Sequence, residues 1–268
     1  MNETLKRALS GAVYIALLLG CISYSKESLA LLFGAFLAIA IYEFSKMCRL
    51  NFNFSFALGI PSYIYLWDKH EILYSRVFLV GFATIIAIKL LFYLFQLQKT
   101  NFKTVTLYLL LIGYIIIPFI IINYISIGKS GYNPKILISI LILIWTNDTF
   151  AYLVGKQLGK HKLFPSVSPK KTIEGFVGGI VFTSLASILL SNYYIESKIL
   201  YIWIIIGLIV SIFSTLGDLI QSKFKRVAGI KDSGKIMPGH GGILDRLDSI
   251  IFVIPFINLF YLILYYVS

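Results

Sequence analysis

Apolar stretches recur along the chain at roughly 8–24, 29–47, 53–67, 77–97, 105–127, 134–155, 172–192, 199–220 and 246–267. Most approach the ~20 residues that a helix needs to cross a hydrocarbon core. Backbone groups at that depth have no water to bond, so each stretch must satisfy its own N–H and C=O groups as a helix. The pattern predicts an all-α integral membrane protein, a polytopic bundle of about nine transmembrane helices. The third stretch is short and polar at its start, and is expected to tilt, re-enter or lie partly in the interface.

The polar positions divide these stretches into two groups. The first five hold few, with plain explanations: Glu43 and Lys46 snorkel at a helix end, and Lys89 reaches an interface or an internal partner. Gly128-Lys-Ser-Gly-Tyr-Asn-Pro134 then reads as a turn. It separates residues 1–133, a scaffold of helices, from residues 134–268, a catalytic region with loops at 156–171 and 222–245. In this second region Thr146, Asn147, Asp148 and Thr149 interrupt the sixth stretch, and an acid at membrane depth is a functional candidate. Ser211, Ser214, Thr215, Asp218 and Ser222 recur at steps of three and four, so they point one way from the eighth helix. A carboxylate at Asp218 needs a cation, from the following basic loop or from a bound metal. Asp245 and Asp248 open the ninth stretch three residues apart on one face, where the helix dipole favours anions. Simple capping is the plainer account of this pair, better for Asp248 than for Asp245.

Composition adds the solvent and the sidedness. With 58% hydrophobic residues, 13% charged and a mean hydropathy of +0.85, the chain is too apolar for a water-soluble domain. Nine spans with a cytoplasmic N-terminus put seventeen of the 24 Lys and Arg on the cytoplasmic side and six on the other, as the positive-inside rule requires. The expected location is the cell (inner) membrane, with the active site facing the cytoplasm. A net charge of +12 held mostly at that face suits anionic headgroups and nucleotides, and no nucleic-acid-binding fold is visible. Lys6-Arg7 and the run ending Leu18-Leu-Gly-Cys21 have the outline of a lipoprotein signal. Leu19 suits cleavage poorly and the charge count needs this span, so a retained first helix is expected. Cys21 and Cys48 fall near opposite faces without metal-ligand spacing, so neither a disulfide nor a metal role is expected.

The loops carry the candidate chemistry. Ser168 and Pro169 suit the cap and first turn of a helix. Lys170 and Lys171 would then oppose its dipole, at ~0.3–1 kcal/mol each when exposed, unless a phosphate lay between them and the backbone N–H groups. Glu174 opens the seventh span, where Gly175 and Gly179 make a small-residue face for close packing. Residues 222–248 hold five glycines, six bases and three acids, a mixture suited to a polyanion held together with a cation. Within them Gly229-Ile-Lys-Asp-Ser-Gly-Lys235 falls one residue short of a P-loop and follows a helix; Ile236 stands where a hydroxyl would bind Mg²⁺. His240 lacks a His or Cys partner and suits a phosphate or base contact better than zinc.

Ser222, Lys225, Arg226, Lys231, Asp232, Gly234, Pro238, His240, Gly241, Gly242, Asp245, Arg246 and Asp248 together resemble the signature of the phosphatidate cytidylyltransferases, or CDP-diacylglycerol synthases. Met237 is a mild departure. The Asp148-Thr-Phe-Ala-Tyr and Ser168-Pro-Lys-Lys-Thr-Ile-Glu-Gly runs resemble that family's upstream block. The resemblance implies that phosphatidate attacks the α-phosphorus of CTP, pyrophosphate leaves, and CDP-diacylglycerol remains in the membrane. It implies catalytic roles for Asp218, Lys225, Arg226, Asp245 and Arg246. It implies substrate binding by Asp148, Ser168, Lys170, Lys171, Thr172, Ser222, Lys231, Asp232, Gly239, His240, Gly241 and Gly242. Hard oxygen donors suit Mg²⁺, and Asp218, Asp245 and Asp248 are its expected ligands, with Asp148 as a further donor and a second cation left open. The expected partners are CTP, phosphatidate and membrane lipid, without nucleic acid, and with a homodimer left open. Two other readings stand beside this one. The first is a CTP-dependent membrane enzyme acting on a polyprenol or ether-lipid acceptor. The second is an ion-coupled transporter, which the basic glycine-rich loop disfavours.

Overall fold

The computed structural model describes residues 3–96, 102–128, 131–196, 199–237 and 241–267. Helices α1 (Glu3–Tyr24), α2 (Lys26–Cys48), α3 (Phe52–Leu66) and α4 (Leu73–Phe95) come first. Then α5 (Thr104–Leu110) continues through a π-helical segment, Leu111–Ile116, into α6 (Ile117–Ile125), so the three form one span. Strands β1 (Ile127–Gly128) and β2 (Gly131–Tyr132) pair antiparallel before α7 (Pro134–Leu158). A second antiparallel pair, β3 (Lys162–Phe164) and β4 (Ser168–Thr172), leads into α8 (Ile173–Leu190). The last two helices are α9 (Leu200–Val227) and α10 (Leu244–Val267).

Among the described residues, seven segments are long and apolar enough to cross a membrane, which makes the chain an integral membrane protein. The third helix, at 15 residues, rises only about 22 Å and falls short of a full crossing, as its composition suggested. In α1 the apolar part is Leu9–Tyr24. Side chains of α2, α4, α6 and α10 build the deepest part of the core, including Leu37, Leu90, Ile121 and Ile257, all shielded from solvent. The small-residue face of α8 lies against α7: a methyl group at Gly175 would strike the Ala151 carbonyl, and one at Gly178 would strike Val154.

The start of α8 differs from the expected one. Ser168 does not cap a helix; it begins β4, and Thr172 caps α8 by accepting from the Gly175 amide at 3.1 Å. Glu174, in the first turn, accounts for the shift. Its carboxyl accepts from the amides of Lys160 (3.0 Å) and His161 (3.2 Å), which draws the β3–β4 hairpin against the helix start. Lys170 and Lys171 consequently sit on a strand and not at a helix N-terminus.

The end of α9 also departs from the apolar pattern, which stops near residue 220. Gln221 remains buried and accepts from the Tyr114 hydroxyl at 3.3 Å. Lys223 is buried too, and its ammonium donates to the carbonyls of Tyr93, Leu94 and Gln96 at the end of α4. A cation there meets the orphan carbonyls and the negative end of the helix dipole. The helix stops at Gly229, φ +73°: its amide bonds Arg226 O (3.2 Å) and that of Ile230 bonds Lys225 O (2.9 Å), closing a Schellman motif.

Candidate active site

Three helix ends and the β3–β4 hairpin meet around Asp218. Lys171 Nζ, from β4, lies 2.7 Å from Asp218 Oδ2, and the Ser222 hydroxyl, one turn further along α9, donates to Oδ1 at 3.2 Å. About a third of each partner of this pair is open to solvent: 27% for the Lys171 side chain and 36% for Asp218. The anion beside Lys171 is thus a carboxylate, where the sequence suggested a phosphate on a helix N-terminus. Asp148, on the accessible face of α7, lies within electrostatic reach of Lys171, Asp218 and Arg246. Asp248, buried on α10, has Asp218, Lys225 and Asp148 as its charged surroundings, and its Oδ1 accepts from the Ser249 amide at 2.7 Å. Gly217 permits this closeness, since a methyl group there would strike the backbone oxygen of Asp248 and the Phe252 side chain.

Asn147 sets the register between α7 and α9. Its Nδ2 donates to Ser214 Oγ (3.0 Å) and Thr215 Oγ1 (3.2 Å), so the polar stripe on α9 is used first as interhelical adhesion. The consequence is positional, because the next residue on α7 is Asp148 and the next turn of α9 carries Asp218.

Asp245 has a different environment. Lys225 Nζ lies 2.7 Å from its Oδ1, while Oδ2 accepts from the Ser233 amide (2.8 Å), the Ser233 hydroxyl (3.0 Å) and the Gly242 amide (2.9 Å). Only 5% of the Asp245 side chain and 11% of Lys225 are exposed. Capping bonds to the loop are therefore made by Asp245, the acid for which the sequence favoured them less. Gly241, at φ +85°, returns the chain so that its carbonyl accepts from the Met237 amide at 3.0 Å.

Glu43 is the residue that sequence reasoning misplaced. It does not snorkel; it is 1% exposed. Its carboxyl accepts from the Ser233 hydroxyl (2.8 Å) and from the amides of Ile243 (3.1 Å) and Leu244 (2.9 Å). The first amides of α10 have no intrahelical acceptors, and in a site closed to water they take one from α2. The available signal was an acid in an otherwise apolar run, which a nearby lysine explained too easily.

The other expected residues are spread around this centre. Thr172 is the buried cap of α8, Ser168 is half-buried and Lys170 is exposed. Arg226 is exposed and donates to the Ile230 carbonyl at 3.5 Å. Lys231 and Asp232 line a cleft of about 1240 Å³ together with Glu43, Ser233 and, from the end of α2, Lys46 and Arg49. Gly239 and His240, with Pro238, lie outside the described residues. Among the described residues no three His, Cys, Asp or Glu side chains are gathered tightly enough to hold a metal by themselves.

A bundle of membrane helices with acids and bases paired at one cluster of helix ends defines a membrane protein equipped for phosphate chemistry. A profile of the cytidylyltransferase family matches residues 5–264, and the chain belongs to that family. It is similar to the phosphatidate cytidylyltransferase of Staphylococcus aureus (strain COL), 54% identical over 120 residues, which cover 44% of this chain and 45% of the relative. That match therefore spans less than half of the relative's length. The protein of the same name from Staphylococcus saprophyticus is 42% identical over 162 residues, 60% of this chain and 61% of the relative. The one from Staphylococcus epidermidis is 35% identical over 253 residues, 91% of this chain and 95% of the relative.

Proposed function

We propose that this chain is a phosphatidate cytidylyltransferase, which transfers CMP from CTP to phosphatidate at the cytoplasmic face of the cell (inner) membrane. The observation that carries this reading is the convergence of Asp148, Asp218 and Asp248 with Lys171, Lys225 and Arg246 at the ends of membrane helices. Those bases suit phosphates, those acids suit a divalent cation, and the helices place both beside lipid. The names of the relatives supply the nucleotide and the acceptor.

In this reaction a phosphate oxygen of the lipid forms a bond to the α-phosphorus of CTP. The bond from that phosphorus to the oxygen bridging to the β-phosphate breaks, and its electron pair leaves with pyrophosphate. An ionised lipid phosphate needs no general base. Lys225 and Arg246 counter the negative charge that spreads over the reacting phosphate and the leaving group, and Lys171 helps to bind substrate phosphate.

The acids differ in their fitness to hold Mg²⁺. Both oxygens of Asp245 are engaged by Lys225 and by buried loop donors, whereas among the described residues Asp218 is met by side chains able to rotate away, and Asp248 by one adjacent amide. Asp218 and Asp248 are therefore the proposed ligands, with Asp148 beside them. Mg²⁺ is commonly held by one or two carboxylates plus substrate phosphates, so the lack of a three-acid cage among the described residues is compatible with it. When bound, the ion stabilises charge on the transferring phosphoryl group.

The decisive experiment incubates purified protein with CTP, Mg²⁺ and phosphatidate, with polyprenyl phosphate and an ether-lipid phosphate as parallel acceptors. CDP-diacylglycerol from phosphatidate is expected; nucleotide-dependent product from another acceptor alone would reassign the substrate. Sidedness rests on the eleven Lys and Arg of 156–171 and 223–246, which the α8–α9 pair of spans returns to one side of the membrane. In a background without Cys21 and Cys48, Lys162→Cys and Ile230→Cys should label from the cytoplasm and Glu196→Cys from outside. Labelling of 162 and 230 from opposite sides would dissolve the shared site.

A further inference from the structure

We infer that Glu43, on the second helix, is the positioning residue of the glycine-rich loop, holding Ser233 and the start of α10 so that Asp245 presents Lys225 to the reacting phosphates. The inference rests on the proposed reaction for its kinetic consequence, and on geometry alone for the hold itself.

The geometry is specific to this carboxyl. Glu43 lies in the sequence 190 to 201 residues from its donor partners and is 1% exposed, so its bonds are long-range and shielded from solvent. One oxygen accepts from Ile243 N at 3.1 Å; the other accepts from Leu244 N at 2.9 Å and Ser233 Oγ at 2.8 Å. The Ser233 hydroxyl lies 3.0 Å from Asp245 Oδ2 as well, so its one proton is shared between the two carboxyl groups. Two glycines of the loop, Gly234 and Gly242, are shaped around the same peg: a methyl group at either would strike the Glu43 carboxyl. The chain of contacts then runs from Glu43 through Ser233 to Asp245 and on to Lys225, 2.7 Å away. Lys225 is in turn within electrostatic reach of Asp218 and Asp248.

A buried donor left without an acceptor costs about 1–3 kcal/mol, and the amides of Ile243 and Leu244 cannot rotate away to find another. Glutamine in place of Glu43 keeps the volume but has one acceptor oxygen, so its amide N–H₂ faces a backbone N–H or the Ser233 hydroxyl. The loop is then expected to loosen while the helices around it persist.

The test uses the full-length protein in detergent micelles with two readouts. Hydrogen exchange reports the hold at residues 231–237 and 241–246; turnover of CTP with phosphatidate reports its consequence. For Glu43→Gln we expect exchange in those segments to rise at least tenfold, exchange elsewhere to stay at its original level, and kcat to fall tenfold or more with KM for phosphatidate within about threefold. Glu43→Asp, too short to reach both amides, should behave alike. Faster exchange with unchanged kcat would overturn the positioning role, and lowered kcat with unchanged exchange would overturn the route through the loop. If Glu43→Gln does not fold, Ser233→Ala removes the hydroxyl between Glu43 and Asp245 while leaving the Ser233 amide on Asp245 and the Glu43 bonds to α10, and the same pair of readouts applies. If the unaltered protein turns over no CTP with phosphatidate, the proposed function fails, and exchange still decides whether Glu43 holds the loop.

Discussion

The acids on the two sides of the glycine-rich loop are held in different ways. Glu43 and Asp245 are met largely by backbone amides and by side chains with little exposure, and their partners cannot leave without unfolding the loop. Asp218 is met by Lys171 and Ser222, both partly exposed and both able to change rotamer. Asp248, although buried, accepts from one adjacent amide among the described residues and has two other acids in its surroundings. A carboxylate bonded to amides builds structure, because those bonds are worth most when they never break. One bonded to replaceable side chains can exchange them for a cation or a substrate. On the proposed reading, Asp245 and Asp248, three residues apart, serve different purposes.

The largest effect should come from breaking the fixed side. Asp245→Ala removes one partner of a buried ion pair and leaves Lys225 and two buried donors unmatched, at a cost of about 3–5 kcal/mol. The expected outcome is a lower melting temperature and an activity loss that tracks the folded fraction together with the misplaced Lys225. A variant with normal stability would show that the bonds to Asp245 are incidental, and the distinction between the two sides would fail.

On the replaceable side the prediction has the opposite character. Asp218→Asn and Asp248→Asn should each fold with near-normal stability and lose roughly 10²-fold or more in kcat, about 2.7 kcal/mol of transition-state stabilisation, with the Mg²⁺ dependence displaced to higher concentration. The measurement is turnover across a Mg²⁺ titration, with melting followed alongside. An unshifted Mg²⁺ dependence in either variant would remove that residue from the ion.

How much of this was legible depends on which force set each feature. Hydropathy decides what lies in the bilayer, so the helical spans and the shortness of α3 followed from apolar run length alone. Local chemistry also spoke where it was self-contained, as at the small-residue face of α8. What stayed hidden was long-range pairing. Ser168 looked like a cap because Ser-Pro is a good helix start, and only the hairpin bond to residues 162–164 makes it a strand. Lys223 looked like one more base on a charged face until α4 ended beside it. Glu43 was read against its neighbour Lys46, because nothing local reveals that the amides of Ile243 and Leu244 will arrive from the far end of the chain.

A smaller effect is expected at the ion pair of Lys171 with Asp218. Partly exposed pairs contribute about 0.2–1 kcal/mol, so Lys171→Gln should leave stability almost unchanged. If Lys171 also meets substrate phosphate, the apparent KM for CTP or phosphatidate should rise by up to about fivefold, with kcat less affected. Unchanged kinetics for both substrates would confine Lys171 to neutralising Asp218.

The smallest effect should belong to Asn147, which sits beside the acids yet serves as adhesion between α7 and α9. Its Nδ2 bonds to Ser214 and Thr215, and its Oδ1 packs against Gly179, where a methyl group would strike it. That oxygen is buried without a partner among the described residues, so removing it relieves a cost at the same time as the two donated bonds are lost. Interhelical hydrogen bonds in a membrane are worth about 0.6 kcal/mol on average. Asn147→Ala should therefore destabilise the protein by roughly that amount, with kcat and the Mg²⁺ dependence within twofold of the unaltered protein. The check is thermal unfolding in detergent beside turnover at saturating Mg²⁺. A tenfold loss of kcat in a stable variant would place Asn147 with Asp148, Asp218 and Asp248 among the groups that meet substrate, and the boundary between adhesion and chemistry on α7 would move by one residue.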